Sequence, residues 1–188
     1  MSLEPKKPPA RSPGSLKSRI LGRLARNERG MAAVEFAMVA PIFLAMMLGI
    51  LQLTLIYFAK ETLETVTESA ARGVLTGQVQ NAGLTQTQFK AQLCGMVPAL
   101  FNCSGLMVDL QPATSLATVN TSEPSLTFAG DGSVSNTWQY NPGASGNIMV
   151  LRVMYQWPLF TGPLGLNMAN LSNGNLLIMS TAVFKNEL

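Results

Sequence analysis

The 188-residue chain contains no histidine, which removes the commonest general base and the commonest metal ligand together. Cysteine occurs only at Cys94 and Cys103, too few for an ordinary structural zinc site. The exterior acids Asp109, Glu123 and Asp131 are scattered among flexible residues. Asp131-Gly132-Ser133 offers oxygen atoms of the kind calcium takes, but a turn explains the triplet more simply. Nothing in this inventory argues for an enzyme, a metal or a cofactor. The chain also lacks an internal repeat.

Charge of one sign is scarce in each part of the chain. Residues 1–30 carry eight basic residues against two acids, a net of +6, and the remaining residues carry five against eight, a net of −3. Basic residues beside a membrane span tend to stay in the cytoplasm, so this asymmetry predicts a cytoplasmic head and an exterior C-terminal part. Clustered Lys and Arg also suit phosphates of nucleic acid. Beside a span, cytoplasmic retention and attraction to anionic headgroups explain them more simply, and no nucleic-acid partner is expected.

From Phe36 to Ala59 there is no formal charge at all. Those 24 residues reach about 36 Å as a helix, enough to cross a hydrocarbon core with some tilt. Gln52 and Thr54 interrupt the outer end, and Tyr57 and Phe58 follow where interfacial aromatics occur. A cleaved secretory signal shares the basic start and apolar core. Its core is shorter, about 7 to 15 residues, and no A-x-A-like site follows here, so a retained helix is expected.

The first 25 residues mix Pro, Ser, Gly and basic residues without an aromatic, a composition that predicts a flexible leader with one short basic amphipathic turn at Ile20, Leu21 and Leu24. Past the span, Leu63, Val66, Ala70 and Val74 recur at helical spacing and form one apolar stripe. Glu68 and Arg72 add a candidate ion pair one turn apart, and Gly73 and Gly77 are candidate helix stops. The expected rod is some 45 residues, about 65 to 70 Å long. The expected division is a leader over 1–30, a transmembrane helix over 31–59, an amphipathic extension over 60–78 and an exterior module over 79–188.

The exterior module reads as α+β. A short helix is predicted around Thr85 to Met96 and a strand over Leu106 to Gln111, followed by a stretch from Thr114 to Gly146 rich in Ser, Thr, Asn and Gly. In Ile148 to Trp157, Met149, Leu151, Val153, Tyr155 and Trp157 share one face, with Arg152 and Gln156 on the other. In Leu176 to Lys185, Leu176, Ile178, Ala182 and Phe184 share a face that only Ser180 interrupts. Pro158, Pro163 and several glycines separate these two runs, which predicts an antiparallel pair with a long connection. The fold class expected is thus a long N-terminal transmembrane and amphipathic helix followed by a small antiparallel-sheet domain.

Cys94 and Cys103 enclose eight residues in a part expected to face an oxidising compartment, which favours a disulfide over two free buried thiols. Ala33, Ala37, Pro41, Ala45 and Gly49 recur every four residues. That row is either a close-packing seam between helices or chance in an Ala- and Gly-rich span. Pro41 removes one helical hydrogen bond and could kink the rod.

The one acid near the head of the apolar run is Glu35. A charged side chain within a spanning helix costs about 2.5 to 3.5 kcal/mol on insertion scales, so Glu35 needs a partner. Its setting resembles a known one. Gly30, four further residues, then Glu35-Phe36 at the head of an apolar helix resembles the processing site of type IV prepilins. The longer run Glu28-Arg29-Gly30-Met31-Ala32-Ala33-Val34-Glu35-Phe36-Ala37, with the ending Thr181-Ala182-Val183-Phe184-Lys185-Asn186-Glu187, is similar to TadE-like pseudopilins of the Tad (Flp) pilus system.

The resemblance implies that a membrane aspartyl prepilin peptidase cuts between Gly30 and Met31. It implies that Glu35, followed by Phe36, then pairs with the free amine of a neighbouring pilin or pseudopilin. Partners would be that peptidase, other pilins and the Tad machinery at the bacterial inner membrane, with the C-terminal domain periplasmic. The outcome would be pilus assembly, adhesion and surface colonisation. The long leader and large exterior part depart from a major Flp pilin and suggest a minor or priming component. The competing reading is an uncleaved single-pass anchor whose exterior module binds another envelope protein.

Overall fold

The computed structural model describes residues 28–130, 132–159 and 167–187. The expected leader and its turn at Ile20, Leu21 and Leu24, together with Asp131 and Pro163, lie outside the described residues. Helix α1 runs Glu28–Leu75, and the chain divides into two compact units, residues 1–47 and 48–188.

In the first unit the described residues are helical. Met31, Val34, Phe36, Met38, Val39, Ile42 and Phe43 are all exposed. Pro41 sits inside α1 without ending it, although its missing N–H leaves the Ala37 carbonyl without its usual helical donor.

In the second unit α1 stays exposed through Leu48, Ile50, Leu51, Leu53, Leu55, Tyr57 and Phe58, and then turns one face into a core. Leu63, Val66, Ala70 and Val74 are all buried there, as the predicted stripe requires. Threonine is an indifferent helix former, but four threonines of α1, Thr54, Thr62, Thr65 and Thr67, return their hydroxyls to the carbonyl one turn back. Thr67, itself buried, donates to Leu63 O at 2.7 Å, so its polar atom carries no desolvation debt. Glu68 and Arg72 form no ion pair among the described residues; both are exposed, where such a pair gains little over water.

Helix α1 closes at Leu75 rather than running to residue 78. Thr76 N–H donates to Arg72 O and Gly77 N–H to Val74 O, with Gly77 at a positive φ of 74°. That left-handed conformation suits glycine and reverses the chain into a short helix α2, Gln78–Asn81. Gly73 stays within α1. Helix α3, Gln86–Met96, begins with a reciprocal cap: Gln88 N–H donates to Thr85 Oγ1, and Thr85 N–H to Gln88 Oε1.

Three antiparallel strands follow, β1 Leu106–Ala113, β2 Ile148–Trp157 and β3 Leu176–Lys185, in the order β1-β2-β3. The register places Leu151 opposite Leu110 and Ala182, and Tyr155 opposite Leu106 and Ile178. One face, carrying Leu106, Val108, Leu110, Met149, Leu151, Val153, Tyr155, Trp157 and Ile178, shares a core with α1 and α3. The predicted alternation in β2 and β3 therefore has its cause in a covered face.

The opposite face is covered as well. Met107, Met154 and Leu177 are buried there under Leu126, Val134, Trp138 and Leu171, supplied by the connections between strands. Asp109 belongs to this face, within β1 and 3% exposed, and is not among flexible residues as its sequence surroundings suggested.

Candidate functional site

Gly30, Met31, Glu35 and Phe36 fall in the first turns of α1. No atom outside the local helix lies within 4 Å of where a Gly30 side chain would begin, and Met31 and Phe36 are 56% and 73% exposed. Glu35 is exposed too, and among the described residues it has neither an ion-pair nor a hydrogen-bond partner. Its neighbours one turn away on the helix are Met31, Ala32, Met38 and Val39, all apolar and exposed. The arrangement is a carboxylate among apolar helix neighbours, chemically able to attract one cation and without one among the described residues.

The small-residue row is uncovered over Ala33, Ala37 and Pro41 and half-covered at Ala45 and Gly49. Cys94 and Cys103 lie in the other unit, where the structure joins them in a disulfide with Cα atoms 5.6 Å apart. The bridge ties α3 to the 3-10 turn Cys103–Gly105 that leads into β1.

Sequence reasoning missed the pair Asp109 and Arg152, opposite one another on β1 and β2. Arg152 Nη2 and Nε donate to Asp109 Oδ2 at 2.6 and 3.0 Å, and Gln139 N–H donates to Oδ1 at 2.9 Å. A signal was present, since both charges interrupt apolar β-prone runs. With every oxygen engaged, this pair orders the fold and offers no free acid or base.

A cleft of about 470 Å³ in the second unit is lined by residues that include Ser69, Arg72, Val79, Phe89, Leu93 and Met96, and no acid is among them. No cluster of three metal-ligating side chains occurs among the described residues.

No curated protein and no solved structure matches this chain. The family model described as TadE-like protein matches residues 30–72, a segment that holds the exposed apolar run, the Glu35 carboxylate and most of the buried stripe. The match and the apolar helix together support a single-pass inner-membrane topology. Over residues 30–72, about a quarter of its length, the chain is thus similar to TadE-like proteins.

Proposed function

We propose that the protein is a processed pseudopilin, a minor or priming component of Tad/Flp pilus assembly that serves adhesion and surface colonisation. The match of residues 30–72 to the TadE-like family model supports a role with the Tad/Flp machinery in general. The observation that supports the finer reading is Glu35, without a partner among the described residues, at the start of the apolar run of α1 and five residues after Gly30.

In this reading the basic leader remains in the cytoplasm and residues after the span lie in the periplasm. Prepilin peptidase cuts after Gly30, removing the +6 head, which would be costly to carry into an apolar filament core. The cut makes Met31 the N-terminus and gives each subunit a new ammonium group. Glu35 pairs with that group on a neighbouring subunit. Two unit charges about 4 Å apart attract by roughly 4 kcal/mol at an effective dielectric of 20, similar in size to the roughly 2.5 to 3.5 kcal/mol burial cost. Pairing thus permits burial at one axial position, and Glu35 acts as a register key.

Glu35→Ala tests the reading in cells that assemble the pilus. The expected result is lost incorporation with cleavage largely intact. Wild-type incorporation by the variant would overturn it and favour an uncleaved anchor.

A further inference from the structure

We propose that the loop closed by the Cys94–Cys103 bridge rests in the headgroup region of the membrane, so that the sheet domain is seated on lipid. The proposal uses residues 48–188 alone and is independent of cleavage after Gly30.

Two anchors set the direction of the domain. Glu187 N–H, just past β3, donates to the last carbonyl of α1, Leu75 O, at 3.1 Å, and β2 begins at Ile148 opposite Lys185. This end of the sheet therefore lies at the finish of α1. Ten residues of β2 reach about 33 Å, and α1 covers about 24 Å from Ala59 to Leu75. The other end of the sheet, at Trp157 and Leu176, accordingly lies toward the turn of α1 that contains Ala59.

That turn is where the apolar helix surface ends. Tyr57 and Phe58 are exposed, Ile56 already packs on the core, Ala59 is fully buried, and Lys60 is the first charge. No linker separates the span from the domain, so the Trp157 end stands at the membrane–water interface. Glu61 and Glu64 follow further out along the helix.

The bridged loop sits at this end. Phe101 packs on Tyr155 and Trp157, with ring centroids 4.9 and 5.8 Å away, and Asn102 N–H donates to Tyr155 Oη at 3.1 Å. Its eight residues, Gly95 to Asn102, include no charge. Leu100 is 52% exposed beside the buried Phe101, an apolar side chain turned outward next to a lipid surface. The disulfide orders the loop beforehand, which lowers the entropy lost on insertion.

The test places the environment-sensitive fluorophore NBD on Leu100→Cys in the full chain, reconstituted one molecule per lipid nanodisc, with the native disulfide verified by mass. Leu116→Cys is the comparison site: it is 71% exposed and follows β1, whose Ala113 end pairs with Ile148 at the far end of the sheet. Ala99→Cys repeats the measurement if Leu100→Cys does not fold. The expected result is blue-shifted emission and several-fold stronger quenching by headgroup-proximal nitroxide lipids at the loop than at residue 116. Equal quenching at both sites overturns the proposal. So does a blue shift without lipid quenching, which would mean that protein covers the loop.

Discussion

Asp109 and Arg152 face each other in register across β1 and β2, the carboxylate 3% exposed and the guanidinium bound to one of its oxygens through two nitrogens. A charge buried on the sheet face is tolerable only because its partner and the Gln139 N–H meet it there.

Asp109→Ala leaves the Arg152 guanidinium confined without its counter-charge. Removing one member of a buried pair costs about 3 to 5 kcal/mol, whereas replacing both with apolar residues of similar volume is close to neutral. Urea unfolding of the detergent-solubilised protein should therefore show a large loss for Asp109→Ala and a much smaller one for Asp109→Leu with Arg152→Met. Equal losses would contradict this account of the pair.

The bridge between Cys94 and Cys103 closes a short loop, for which chain-entropy reasoning gives about 2 to 3 kcal/mol. Cys94→Ser combined with Cys103→Ser should lower the thermal midpoint, and a reductant should bring the wild type to the same value. A midpoint insensitive to both would show that the loop is ordered by Phe101 packing alone.

Tyr140 donates its hydroxyl to Leu84 O at 2.8 Å, and burial raises its pKa above the ordinary value of 10.0. The folded protein thus holds this proton more tightly than the unfolded chain. The resulting stabilisation is complete below pH 10 and lost as pH rises through the raised value. Burial lowers the pKa of Lys90, giving an opposite slope just below its ordinary 10.5, but that slope is common to wild type and Tyr140→Phe. Tyr140→Phe keeps the ring contact with Phe89 and should cost about 1 kcal/mol at neutral pH, with the difference shrinking above pH 10. A pH-independent difference would contradict the proton linkage.

The sheet was legible where one face carries an unbroken periodic signal. Met149 to Trp157 alternate because every second side chain enters the core, and the same period marks Leu176 to Phe184. Thr85 and Gln88 announce the start of α3 through their capping geometry. The cover on the other face was not legible. Leu126, Val134 and Trp138 are isolated in a Ser-, Thr- and Asn-rich stretch, so no period reveals what they bury. Asp109 and Arg152 are 43 residues apart, and only strand register brings them together. Glu35 stood out for the opposite reason: it is a single acid at the sharp boundary between a basic head and an apolar run, and no partner meets it among the described residues.

In the proposed reading, cleavage after Gly30 creates the ammonium that neutralises Glu35 in a neighbouring subunit. Intact-mass analysis of the membrane-extracted protein, from cells with and without active prepilin peptidase, tests it most directly. The account predicts a chain beginning at Met31 when the peptidase is active and a full-length chain when it is not. A chain that still begins at Met1 in the presence of the active enzyme would contradict it.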